Sequence, residues 1–370
     1  MINTEQELIG KQTVIFKNKP SIIGFYSLVG EKEGNGNFAE YFDHILKDDL
    51  FGEKSYEKAE RKILETSIFN AIEKAGLQPE NIDCLLSGDL LNQIISSSFS
   101  ARHFGTCFIG LYGACSTMAE SLALGSALVD GGYFNTVACA TASHFSSVEK
   151  QFRFPLELGN QRTPCSQWTV TGGACTILSK EGKGPYITAA TFGRVTDWGI
   201  TDVNNMGAAM APSAMSTLIA HFKDCNTTSK DYDLIVTGDL GKLGSEILID
   251  LMEKAGYPLG QNYNDCGQMI FNKKQRVFQG GSGAGCSATV LNSYILKNII
   301  KGKYKKVLFC ATGALLSTLS SQQGESVPGI CHAVVIERDK DSKNSVRKSN
   351  KTNKSSKSTK AKTSGKKNIK

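Results

Sequence analysis

The sequence predicts an α/β protein made of two duplicated halves, and three observations carry that expectation. Shifting the chain by 171 residues lays Cys115 on Cys286, Gly131 on Gly302, Tyr133 on Tyr304 and Cys139 on Cys310. A second echo, at a shift of 150, sets NIDCLLSGDLL (81–91) on DYDLIVTGDLG (231–241). Between these marks, short apolar runs alternate with helix-length segments. That alternation predicts parallel strands joined by right-handed crossovers, with helices covering the sheet faces.

Each half reads in the same order. A short apolar strand runs into Ser87-Gly88-Asp89-Leu90 in the first half and Thr237-Gly238-Asp239-Leu240 in the second. A helix-rich segment, a cysteine turn, a helix and a closing strand with the triplet Cys-Ala-Thr (139–141 and 310–312) then follow. The helix after Cys115 carries Ala119, Ala123 and Ala127 at i, i+4 and i+8, a stripe that lets a second helix approach closely. Met118, Leu122, Leu124 and Leu128 make its other faces apolar, so it is expected to be buried all round, in a layer between two sheets. The expected divisions are 1–180, 181–337 and a tail at 338–370.

That tail holds thirteen Lys or Arg against two Asp, so +11, which leaves −4 of the chain's +7 for residues 1–337. Val346 and Ile369 are almost its only apolar residues, too few to offset the entropy of ordering it, and it is expected to be disordered. Its lysines suit an anionic leaflet, nonspecific nucleic-acid contact or plain solvation. No specific nucleic-acid partner is expected.

In the body, 37 glycines against eight prolines fit many tight turns and exclude a collagen-like or wholly disordered chain. Eleven cysteines follow an N-terminus, MINTEQELIGKQ, that lacks the layout of a secretory signal, which predicts a reducing compartment and mostly buried thiols. No run approaches the roughly 18 apolar residues of a spanning helix, so membrane association is expected to be peripheral.

In LYGACSTMAESL (111–122), Cys115 sits on a small-residue turn at a helix N-terminus, where unpaired N–H groups favour thiolate and can hold an oxyanion. The alternative is a packed thiol in a crowded turn, as for its mate Cys286. Metal-ligand spacing is absent: there is no Cys-x2-Cys pair or His-x3-His pair, and Asp89 and Asp239 read as caps or cross-links rather than calcium ligands. GGSGAG (280–285) lacks the lysine of a phosphate-binding Walker loop.

Taken together, the two βα halves, the cysteine that opens a buried helix and QGGSGAGCSATV (279–290) resemble the thiolase superfamily of ketoacyl synthases and thiolases over about residues 20–337. The resemblance implies a five-layer αβαβα fold and a homodimer paired through the first-half sheet edge. It also implies a nucleophilic cysteine served by His, Asn or a second Cys from the other half. Where synthases carry a His-Gln-Ala-Asn loop, this chain reads Thr237-Gly238-Asp239-Leu240-Gly241, and the next partner loop, 280–285, again lacks His and Asn. Cys310 falls near the thiolases' second cysteine, but its equivalence with Cys139 fits strand packing.

More narrowly, HFSSVEKQFRFPLELGNQRTPCSQWTVTGGA (144–174) and CATGALLSTLSSQQGESVPGICHAVVIE (310–337) resemble a sporulation-protein family of endospore-forming bacteria. That resemblance implies a non-catalytic chain at the spore inner membrane. It would bind dipicolinic acid, possibly with calcium, for uptake into the developing spore, beside membrane-embedded subunits of one transport system. No cofactor and no resident metal are implied. A flat dianion needs paired donors, and residues 144–168 offer His144, Lys150, Arg153, Gln161, Arg162 and Trp168. Arg162 and Lys150 are the first candidates for the carboxylates, with Cys115 on the cavity floor and Lys242 a weaker choice. A surface or dimer patch for the charges, and a core role for Trp168, remain open beside this. The alternatives are a Cys115-dependent acyltransferase or ketoacyl synthase with a partner such as His332, and a scaffold that binds no small molecule.

Overall fold

The computed structural model describes residues 7–152 and 162–338, so the expected disordered tail beyond Arg338, and the candidate residues Arg153 and Gln161, lie outside the described residues. Ten main strands are β1 (Ser21–Val29), β2 (Cys84–Gly88), β3 (Cys107–Gly110), β4 (Thr136–Ser143), β5 (Gly172–Ser179), β6 (Tyr186–Thr191), β7 (Leu234–Thr237), β8 (Tyr263–Asp265), β9 (Lys306–Ala314) and β10 (Gly329–Glu337). With three short flanking strands they form a thirteen-stranded sheet in the order β8-β7-β9-β10-β6-β1-β5-β4-β2-β3.

The two runs of five repeat one pattern. In the first, β4, β2 and β3 are parallel, and β5 pairs antiparallel with both β4 and β1; in the second, β9, β7 and β8 are parallel, and β10 pairs antiparallel with both β9 and β6. The runs meet where Tyr186 of β6 pairs with Ser21 of β1. Parallel pairing, expected throughout, thus holds for three strands of each run. After β4 and after β9 the next long strand, β5 or β10, comes back antiparallel to it.

The main helices are α1 (Tyr56–Lys74), α2 (Ile95–Ala101), α3 (Thr117–Asp130), α4 (Phe145–Phe152), α5 (Met206–Cys225), α6 (Gly241–Lys254) and α7 (Ala284–Val290), which continues through a π-helical stretch (Leu291–Ile295) into α8 (Leu296–Lys301). Ser55 caps α1 by accepting from the Lys58 N–H, and Ala59, Ile63, Ile68, Ala71 and Ile72 form its buried face over β1 and β5. Gly24 permits that approach, because a Cβ there would lie 2.6 Å from the Ala71 carbonyl oxygen.

α3 packs against β4 on one side and against β9 and β10 on the other, while α1 covers the first run and α5 the second. The layers are therefore α, β, α, β, α, as the sequence leads one to expect. Three apolar clusters fill the spaces between them. Met118, Ala119, Leu122 and Ala123 are fully buried, whereas Leu124, Ala127 and Leu128 are only partly so. The closest approach of α3 to the sheet falls at Gly125, where a Cβ would stand 2.9 Å from the Cys139 sulfur. Cys139 itself donates to the Ser121 carbonyl at 3.2 Å, so this repeat cysteine packs strand on helix.

Candidate functional site

Ala114 holds φ at 50°, a left-handed turn that an alanine seldom adopts, and the bend sets Cys115 at the entry to α3. Ser116 N–H and Oγ both return to the Gly113 carbonyl, at 3.0 and 2.7 Å, which locks the turn. The buried thiol lines a cavity of about 420 Å³. One wall is the strip 89–94 that follows β2, and α4 adds Val148, Glu149 and Phe152. Across from them stand Ser282 and Gly283, residues 314–316 after β9, and Val203, Asn204 and Met206.

The sulfur's partner is a carboxylate. Asp239, on the turn between β7 and α6, acts on the Cys115 thiol and accepts from Thr312 Oγ1 at 2.8 Å, from Ser282 Oγ at 2.9 Å and from the Gly283 N–H at 3.2 Å. Burial, and then the charge of Asp239, push the Cys115 thiol well above the usual cysteine range. Burial also raises Asp239, against the opposing pull of its hydrogen bonds. Asp265, at the end of β8, braces this turn by accepting from Thr237 Oγ1 (2.7 Å), the Leu240 N–H (2.9 Å) and the Gly241 N–H (3.0 Å). Its own carboxyl is raised to about 6, chiefly by burial.

Among the residues expected at the site, Cys115 lines the cavity and the other described ones do not. Lys150 lies on the outside of α4, 60% exposed, with its ammonium 2.7 Å from Glu57. Arg162 is partly buried: it pairs with Glu149 at 2.8 Å, donates to the Gln167 carbonyl and lies over the rings of Phe145 and Trp168. Trp168 stacks on Phe145 at 3.9 Å, with Lys32 on its other contact at 3.6 Å. His144 is buried, donating from Nε2 to the Asp49 carbonyl at 2.7 Å and accepting the Ser146 N–H at Nδ1. Burial lowers its pKa and favours the neutral ring.

The expected cations do not face this cavity: among the described residues, none that lines it is Lys, Arg or His. The arginine and the lysine are already matched by Glu149 and Glu57. Two carboxylates, Asp89 and Glu149, line the wall instead, beside Asn92, Gln93, Gln167 and Asn204. Asp89 accepts from the N–H groups of Leu91 (3.0 Å) and Ser97 (2.7 Å), which makes it, as the sequence implied, a local cap. Lys242 does not line the cavity, and His332 accepts the Gly193 N–H at 3.2 Å with its pKa lowered to about 4 by burial. Among the described residues no three His, Cys, Asp or Glu side chains come together as a metal site.

Two features escaped the sequence reading: the wall at 89–94, and Asp239 as the sulfur's partner. The signal for the second was present, since Asp239 stands in the loop where condensing enzymes keep a histidine.

A cysteine at the head of a helix buried between two sheets, facing loops from both strand runs, defines a protein of the thiolase and ketoacyl-synthase fold. Solved structures agree. 3-Oxoacyl-[acyl-carrier-protein] synthase III from Aquifex aeolicus VF5 is 14% identical with a TM-score of 0.53, covering 86% of this chain and 99% of its own. Acetamide-bound OleA of Xanthomonas campestris is 12% identical with a TM-score of 0.55, covering 87% and 99%. Human mitochondrial 3-ketoacyl-CoA thiolase in complex with CoA is 10% identical with a TM-score of 0.53, again covering 87% and 99%.

The chain belongs to the stage V sporulation protein AD (SpoVAD) family, whose model matches residues 10–337. It is 44% identical over 332 residues to stage V sporulation protein AD of Bacillus subtilis (strain 168), covering 90% of this chain and 98% of the relative.

Proposed function

We propose that this chain is a non-catalytic, ligand-binding member of the thiolase fold that takes up dipicolinate during sporulation, in its calcium-carrying form. The observation that carries the reading is the Cys115 thiol held by a carboxylate inside a cavity that is still open. Acyl transfer to sulfur needs a thiolate and a base whose charge helps form it. Asp239 acts in the opposite sense, because a negative neighbour keeps the proton on sulfur.

The lining supports the calcium form. A free dianion would meet Asp89 and the Arg162-paired Glu149, with no cation among the described lining residues to receive its carboxylates. A one-to-one calcium chelate is neutral, turns its metal toward carboxylate and amide oxygens, and lays its ring against Leu90, Leu91, Ile94 and Leu316. Calcium thus arrives as part of the ligand.

The proposal includes a peripheral place at the spore inner membrane beside membrane-embedded subunits. No helix among the described residues is long and apolar enough to cross a membrane. A homodimer through β3 belongs to it too: that strand ends the sheet, with Cys107 exposed and Ile109 36% exposed along it.

Calorimetry with dipicolinate, with and without calcium, tests the reading on the wild type and on Leu316→Trp, which fills the cavity. Binding of the calcium form that the variant loses supports it. No binding to the wild type favours a scaffold role, and acyl transfer from an acyl-coenzyme A that Cys115→Ala abolishes favours the enzyme.

A further inference from the structure

We infer that Gln151 is a positioning residue for the cavity: its side-chain amide clamps the strained wall Leu90–Ile94 in the shape that receives a ligand. Leu90, Leu91, Asn92, Gln93 and Ile94 all line the cavity, whereas Gln151 stands behind them and does not. Its effect on the ligand rests on the binding function proposed above.

Two neighbouring residues of this wall hold left-handed backbone, Gln93 at φ 58° and Ile94 at φ 45°. Neither is a glycine, and Ile94, branched at Cβ, is the less suited of the two. Ala114, at φ 50°, lines the same cavity. Backbone of this kind persists only where its surroundings hold it, and it gathers at ligand-binding sites.

Gln151, on α4, grips the middle of the wall. Its Nε2 donates to the Leu90 carbonyl at 2.8 Å and its Oε1 accepts the Asn92 N–H at 2.9 Å. Only a side chain with both a donor and an acceptor makes that pair of bonds, and an amide has both. The ends of the wall are fixed separately. Asp89 accepts the Leu91 and Ser97 N–H groups at one end. At the other, Ser96 of α2 and Ser147 of α4 both donate to the buried Glu60 carboxylate, which ties the two helices together. Since α4 also carries Val148, Glu149 and Phe152 into the cavity, the Gln151 amide sets one lining wall against another.

Hydrogen exchange on the ligand-free, full-length chain tests the clamp. The reporter is the Ile94 amide, whose own acceptor, the Leu91 carbonyl at 2.9 Å, is untouched by the substitutions. In Gln151→Met, of similar length but without donor or acceptor, this amide should exchange at least roughly tenfold faster than in the wild type, while that of the buried Ile63 in α1 keeps its rate. Gln151→Glu keeps the acceptor and loses the donor. Its Ile94 amide should exchange fast at pH 8 and return toward the wild-type rate, compared at each pH, as protonation of the carboxylate restores a donor. Wild-type exchange at Ile94 in both variants overturns the clamp. Calorimetry with calcium dipicolinate tests its part in binding: Gln151→Met should raise Kd at least roughly fivefold, and an unchanged Kd overturns that part. A wild type that does not bind the chelate overturns the proposed binding function, whereas the clamp stands or falls on the exchange at Ile94.

Discussion

The buried carboxylate of Asp239, which three donors hold in place, raises the Cys115 thiol through its charge, second only to burial. A proton is thereby fixed where a condensing enzyme needs it gone.

Replacing Asp239 by Asn removes the charge that holds the proton on sulfur. Iodoacetamide labelling at Cys115, followed by mass spectrometry at pH 8, should be slow in the wild type and at least roughly tenfold faster in Asp239→Asn, the change one pKa unit produces. A wild-type thiol already labelled faster than a free cysteine would contradict the assigned geometry.

Glu149→Gln leaves the partly buried Arg162 without its carboxylate partner. Breaking such a pair is expected to destabilise the fold by on the order of 3 kcal/mol, read from urea unfolding. The same change removes a carboxylate from the cavity wall and frees a guanidinium beside it, so affinity for calcium-free dipicolinate should rise relative to the calcium form. An unaltered preference would show that Glu149 does not set the charge of the pocket.

Glu33 is buried, accepts the Thr171 N–H at 3.2 Å and is raised to about 8, mainly by burial. Between pH 4.5 and 8 the unfolded chain has lost this proton while the folded chain keeps it, so folding stability falls as pH rises through that window. The contribution is whole below pH 4.5 and gone above 8. Glu33→Gln should flatten this part of the stability profile and stabilise the protein most at the alkaline end, as followed by thermal melts across pH.

Gly24→Ala puts a methyl group 2.6 Å from the Ala71 carbonyl oxygen, a backbone atom that cannot turn aside. Moving α1 off the sheet should cost about 1–3 kcal/mol, measured by chemical denaturation. Gly76→Ala is the control for space, since nothing lies within 4 Å of the added carbon, although its φ of +72° carries its own strain.

Much of the architecture was legible before any coordinate. The 150-residue echo falls on β2 and β7, each set between two parallel neighbours, and the 171-residue repeat puts Cys139 and Cys310 in the matching strands β4 and β9. Periodicity and small-residue spacing are local properties, and the two sheets need both. The antiparallel strands β5 and β10 were less legible, because an apolar run of eight or nine residues does not state its direction.

The chain alone determined that Cys115 heads a buried helix and that no His or Asn stands in the loops that should serve it, since both follow from residue identity at a spacing. Only the tertiary structure decided which charges face the cavity. Arg162 and Lys150 are cations in any conformation, but folding brings Glu149 to one and Glu57 to the other, while Asp89, Glu149 and Asp239 gather around the cavity. Charge at a site is set by contacts between residues far apart in sequence, and no run of letters records which carboxylate will reach which cation first.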